Sequence, residues 1–150
     1  MQIAVDTKIL LRLLNRSDVK HAEVRVAVRQ LRRQHQLCFF PQNAGEFWNA
    51  CTRPVTSRGG FGLTIPKTAK RLAVLEKHFQ VLIDPPGMYN RWKQLIQACS
   101  VRGVQVHDAR IAASMLEHGI SCILTYNTAD FARYSGITAI APPSVTAQVP

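Results

Sequence analysis

The chain has 150 residues, 47% hydrophobic and 19% charged. That is the length of one domain with enough apolar content for a real core, and it excludes a disordered or low-complexity protein. Nineteen Lys and Arg against nine Asp and Glu leave a formal charge of +10, which points to a polyanionic partner such as nucleic acid or an acidic protein segment.

Residues 2–5 read as a short buried strand, followed by a helix over residues 9–14 that Asp6 or Thr7 can cap. Residues 21–34 form the clearest amphipathic helix. Val24, Ala27, Val28 and Leu31 follow the i, i+3, i+4, i+7 rule, and Arg25, Arg29, Arg32 and Arg33 lie off that stripe. Residues 37–40 are a second strand stopped by Pro41, and 42–53 a helix with Asn43 as its cap. Pro54, Gly59, Gly60 and Gly62 mark 53–63 as a mobile loop. Residues 64–79 are helical, with Thr64 capping and Pro66 in the first turn. A short strand over 81–83 ends at Asp84-Pro85-Pro86-Gly87. Residues 89–102 form a helix buried through Trp92, Leu95, Ile96 and Cys99, with Gly103 at its end. A short extended stretch over 104–106 precedes a helix over 108–118. Then come a strand over 122–124, a short helix over 128–134 and a last strand over 138–140. One domain spans 1–141, and 142–150 are expected to be a loose tail. Short apolar strands alternating with amphipathic helices predict a three-layer α/β fold around a mainly parallel sheet of about five strands.

Cys38, Cys51, Cys99 and Cys122 show no C-x-x-C spacing and sit among apolar residues, which fits buried free thiols and a cytoplasmic protein. No uncharged stretch approaches the ~18 residues of a membrane span. Asp6, Lys8 and Arg12 interrupt the apolar run that a signal peptide needs.

Four of the nine acids stand where an apolar, extended stretch gives way to a helix: Asp6, Glu46, Asp108 and Asp130. Each has a structural explanation. Three can cap or charge a helix N-terminus, and Asn43 with Glu46 three residues on reads as a capping box. The four together suggest more. In an open parallel sheet the carboxyl ends of strands and the starts of the following helices face one crevice. Several acids focused there repel one another unless a cation sits among them. Such an acidic hole in a basic surface suits a Mg²⁺ site that attacks a phosphodiester.

These segments resemble the PIN-domain nucleases, and within them the VapC-like toxins of toxin–antitoxin modules. The pieces fall in that family's order: Asp6-Thr7 after a strand; Glu46-Phe47-Trp48 with Arg53 on a helix; His107-Asp108-Ala109 then Ala112-Ala113 on another; and Leu124-Thr125, Asn127 and Asp130-Phe131. The resemblance implies a parallel sheet between helices and binding of Mg²⁺ (or Mn²⁺) by Asp6, Glu46 and Asp108. The fourth ligand is Asp130 or Asn127, with Asp130 favoured as the charged one. Thr7 and Thr125 would support the site through their hydroxyls. Lys8 stands where relatives commonly carry Asn, and Asn127 where they often carry Asp. The implied activity is metal-dependent hydrolysis of RNA. The implied partners are RNA, a cognate antitoxin and a second copy of the chain.

Lys8, Arg53, Arg58, Arg25 and Arg29 are the candidates for RNA contact, with Arg32 and Arg33 extending the charged helix surface. Trp48 suits either core packing or stacking on a base. Two further readings compete: an RNA-binding PIN-like module with weak or no cleavage, motivated by Lys8 and Asn127, and a phosphotransfer α/β protein. The latter would need an acid at the place of Lys8.

Overall fold

The computed structural model describes residues 1–147. Five strands, β1 (Gln2–Val5), β2 (Gln36–Phe39), β3 (Gln80–Val81), β4 (Cys122–Leu124) and β5 (Thr138–Ile140), form one sheet in the order β3-β2-β1-β4-β5. Every pairing is parallel. Between and after them run α1 (Thr7–Leu14), α2 (His21–Leu31), α3 (Pro41–Thr52), α4 (Ile65–His78), α5 (Met88–Ala98), α6 (Val106–Glu117), α7 (Thr128–Phe131) and α8 (Pro142–Thr146).

Past the Gln that opens β1 and β2, the three central strands β2, β1 and β4 are apolar and buried, because both faces are covered. Ile3, Val5, Leu37, Phe39, Cys122 and Leu124 face a core shared with buried residues of α1, α2, α3 and α4. Ala4, Cys38 and Ile123 face the opposite core, filled by Ile111, Met115, Phe131 and Tyr134. Small residues meet there: Ala109, Ala112 and Ala113 of α6 are fully buried.

Several boundaries differ from the sequence reading, each for a local reason. The 53–63 segment is tied down. Phe61 N–H and Leu63 N–H donate to Ala50 O and Cys51 O at 3.0 and 2.8 Å, and both side chains pack on the core. Gly60 is required in this turn, since a Cβ there would stand 2.2 Å from Pro54 O. α5 holds no fully buried residue; Trp92 is half-buried, and its Nε1–H donates to Val106 O at 3.1 Å. The start of the expected loose tail is helical instead: α8 packs against α2, with Val145 on the core. Its last part, 148–150, lies outside the described residues. No described helix is long and apolar enough to cross a membrane.

Candidate metal centre at the carboxyl edge of the sheet

From β1 the chain builds β2 and β3 on one side, then crosses back to place β4 and β5 on the other. Strand order therefore reverses between β1 and β4, and the crevice beyond their carboxyl ends is the ligand position of open parallel sheets. Asp6 follows β1 and Thr125 follows β4. Thr125 Oγ1 donates to Asp6 Oδ2 at 2.8 Å, beside a backbone bond from Asp6 N–H to Leu124 O at 3.1 Å. Asp6 is only 8% exposed. It holds the N-cap position of α1, yet its side chain accepts no capping bond. Capping does not explain a carboxylate buried here.

Glu46 is delivered by α3. The N-cap of that helix is Phe40, not Asn43, because Pro41 starts the first turn. Asn43 occupies the third helical position. Its Oδ1 accepts Phe40 N–H at 2.9 Å, and its Nδ2 donates to Thr7 Oγ1 at 3.1 Å. Thr7 Oγ1 then donates to Glu46 Oε2 at 2.6 Å. On the other side Gln42 Nε2 donates to Glu46 Oε1 at 2.8 Å and to His107 O at 2.9 Å. The capping box expected from Asn43 and Glu46 is thus corrected: Glu46 lies beyond the first turn and is clasped by Thr7 and Gln42.

Asp108 arrives differently from the expectation. Gly103–Gln105 is a 3₁₀ turn rather than an extended stretch, so Asp108 stands in the first turn of α6 with no strand before it. Burial first, and then the charges of Asp6, Asp130 and Glu46, push its carboxyl up to about 6 against the opposing charge of Lys8. The Asp6 carboxyl is also raised, by burial first and by Glu46, against the lowering pull of the Thr125 bond, Lys8 and the Thr7 amide. Asp130 lies in the first turn of α7. Asn127 Nδ2 donates to Asp130 Oδ2, and Asn127 N–H donates to Thr125 Oγ1 at 2.9 Å. Asn127 and Asp130 therefore act as one unit.

Carboxylates from four separate elements thus share one electrostatic field. An all-oxygen donor set of this charge suits a hard divalent cation. Among the described residues no three Asp, Glu, His or Cys side chains stand close enough to form a ready coordination shell. Electrostatic reach exceeds coordination distance, and uncompensated carboxylates hold apart. An ion that takes one or two carboxylates and keeps its waters fits that spacing.

The basic candidates divide. Lys8 is exposed, and its charge reaches both Asp6 and Asp108. Arg53 caps the far end of α3, seven residues and roughly 10 Å of helix beyond Glu46, and Arg58 is exposed in the following loop. Arg25 and Arg29 line a separate apolar groove of about 430 Å³ with Leu13, Leu14 and Val28. Only Lys8 is placed with the acids.

The family model described as PIN domain matches residues 3–137. The chain belongs to the PIN domain family. No curated protein matches it in sequence. Solved structures share its fold at low identity. A VapBC2 structure from Rickettsia felis, bound to a DNA fragment from the promoter, aligns with TM-score 0.73 and 11% identity over 94% of this chain and 98% of that one. VapC20 of Mycobacterium tuberculosis, a sarcin-ricin loop cleaving toxin, aligns with TM-score 0.62 and 18% identity over 91% and 98%. A toxin–antitoxin complex from Klebsiella pneumoniae aligns with TM-score 0.63 and 21% identity over 93% and 97%.

Gln42 of this PIN domain escaped the sequence reading, and Asn43 was read there only as a cap. They hold Glu46 and Thr7 in place, but nothing in the sequence separates them from ordinary first-turn polar residues. Only the pairing of α3 with α1 and α6 reveals them.

Proposed function

We propose that this PIN domain is a metal-dependent endoribonuclease and the toxin of a toxin–antitoxin pair. The observation that carries the reading is the buried, uncapped Asp6 at the reversal of strand order, in one field with Glu46, Asp108 and Asp130. Asp6, Glu46 and Asp108 are the residues we assign to the Mg²⁺ or Mn²⁺ site, one or two by direct coordination and the rest through the ion's waters, with Asp130, steadied by Asn127, as the fourth acid. A bound ion would supply an acidified water and offset charge on the scissile phosphate. The chain's own part is to orient. Thr125 fixes one oxygen of Asp6, Thr7 and Gln42 fix the two oxygens of Glu46, and Lys8 at the rim attracts the phosphate.

A cognate antitoxin is the partner we assign. Its support is that structures sharing this fold are toxin–antitoxin complexes, and that the Arg25 and Arg29 groove is apolar below and basic at its rim. An acidic amphipathic segment complements such a surface. RNA is the substrate we assign, on the net charge of +10, and a homodimer the assembly.

A second reading, an RNA-binding module with weak or no cleavage, draws on Lys8, Asn127 and the lack of a preassembled three-ligand cluster among the described residues. Induced expression of the chain alone, against Asp6→Asn, separates the two. Growth arrest with new, sharply placed RNA 5′ ends in the wild type only supports the nuclease; soluble, folded protein with no arrest and no new ends favours the binding module.

A further inference from the structure

Beside the acids lies a second groove, of mixed polar and apolar lining and about 640 Å³, between the start of α3 and the start of α6. Glu46 is in its wall, together with Gln42, Asn49, His107 and Arg110. Its size falls within the range of small-molecule sites. The Arg110 guanidinium is paired with Asp84 at 2.6 Å, so what the lining offers an occupant is the amides of Gln42 and Asn49 and the imidazole of His107, groups suited to unpaired base edges. Gly45 forms part of the same wall. This glycine sits within α3, where glycine weakens a helix, and its place is exposed. A Cβ built there would meet nothing within 4 Å. Neither packing nor backbone conformation within the chain calls for glycine at this position. What its missing side chain provides is room in the groove, one residue from Glu46.

We propose that this groove is the subsite for a single-stranded ribonucleotide next to the scissile bond, and that Gly45 sets what fits there. The proposal rests on the nuclease reading for the identity of its ligand, but binding in the groove does not need cleavage. The groove contains no large exposed apolar side chain, which favours a nucleotide over a packed protein surface. Gln42 spans the groove to His107 O while holding Glu46, so an occupant would lie against the residue that orients this acid.

The test uses the full chain with Gly45→Ala, Gly45→Gln and His107→Ala. Binding of a fluorescent single-stranded oligoribonucleotide is followed by anisotropy in EDTA, cleavage in Mg²⁺ separately, and fold and mass by thermal melting and light scattering. Gly45→Ala should melt higher than wild type, by about 3 °C, because only helix propensity changes. Gly45→Gln should weaken oligonucleotide binding by about tenfold, and His107→Ala by about threefold. Unchanged binding in both, with the fold intact, would overturn the proposal. So would a change in oligomer mass with binding per protomer unaltered, which would give the groove to a second copy of the chain. If the wild type binds without cutting and Gly45→Gln still loses binding, the subsite stands and the nuclease reading falls.

Discussion

Thr125 Oγ1 donates to Asp6 Oδ2 at 2.8 Å across the seam between β4 and β1, joining two residues that are 119 positions apart. The hydroxyl meets the carboxylate where strand order reverses, and the bond fixes one Asp6 oxygen. The bond also lowers the Asp6 carboxyl against the raising effect of burial. It favours the charged form in a place that otherwise disfavours it.

Thr125→Val keeps the shape and removes the donor. We expect Mg²⁺ affinity and cleavage to fall by about 10–100-fold, the usual effect of losing a group that orients a ligand. Thr125→Ser should retain most of both. Calorimetric Mg²⁺ titration and initial cleavage rates check this.

Asp108 makes the folded chain sensitive to pH. Its carboxyl titrates near 3.8 when unperturbed and at about 6 in the fold. Between those values the folded state holds the extra proton, so this contribution to stability is complete below the unfolded value and is lost as pH rises through about 6. Asp108→Asn should therefore stabilise the metal-free protein at pH 7, by about 1 kcal/mol after allowing for solvent screening of a half-exposed group. At pH 4 the gain should be close to nil. Urea unfolding at the two pH values reads the difference.

Divalent metal should act in the same direction as that substitution. At about 100 times its Kd, Mg²⁺ should stabilise the fold by about 2.7 kcal/mol, and the melting temperature should climb with concentration. Asp6→Asn should remove most of the climb. Thermal melts across a Mg²⁺ series, with EDTA as the zero point, measure it.

Asn43 is fully buried and joins Phe40 N–H to the Thr7 hydroxyl. Asn43→Ala strands a buried amide and frees the clasp on Glu46, so we expect a loss of about 2–3 kcal/mol. The same variant should lower cleavage, because Thr7 no longer has a fixed direction. Chemical denaturation and a cleavage assay test the two effects separately.

Much of the fold was legible because the signals were local. The strands Gln2–Val5, Cys122–Leu124 and Thr138–Ile140 end at residues whose polarity or turn chemistry breaks an apolar run, and Thr64 caps α4 as its sequence suggests, accepting Lys67 N–H at 3.4 Å. Phe40 and Asn43 were misread because an extended apolar residue before proline looks the same at the end of a strand and at a helix cap. Residues 142–150 were expected to be loose as a chain terminus; in the fold Pro142 and Pro143 open α8 at its first turn, where proline is tolerated. For the site, the sequence offered four acids but not their relation. The β1–β4 adjacency that joins Asp6 to Thr125 is a pairing of distant segments, and no local pattern encodes it. Arg25, Arg29, Arg53 and Arg58 were read as candidates for RNA contact; in the fold Arg25 and Arg29 line the groove with Leu13, Leu14 and Val28, and Arg53 stands at the far end of α3 from Glu46.

The most direct test is cleavage of a single-stranded RNA by the purified chain in Mg²⁺, in EDTA, and with Asp6→Asn and Glu46→Gln. Defined internal cuts in Mg²⁺ alone, lost in EDTA and in both folded variants, are the result this account predicts. Cutting that persists in EDTA or survives Asp6→Asn would contradict it, as would intact RNA with folded, Mg²⁺-loaded wild-type protein.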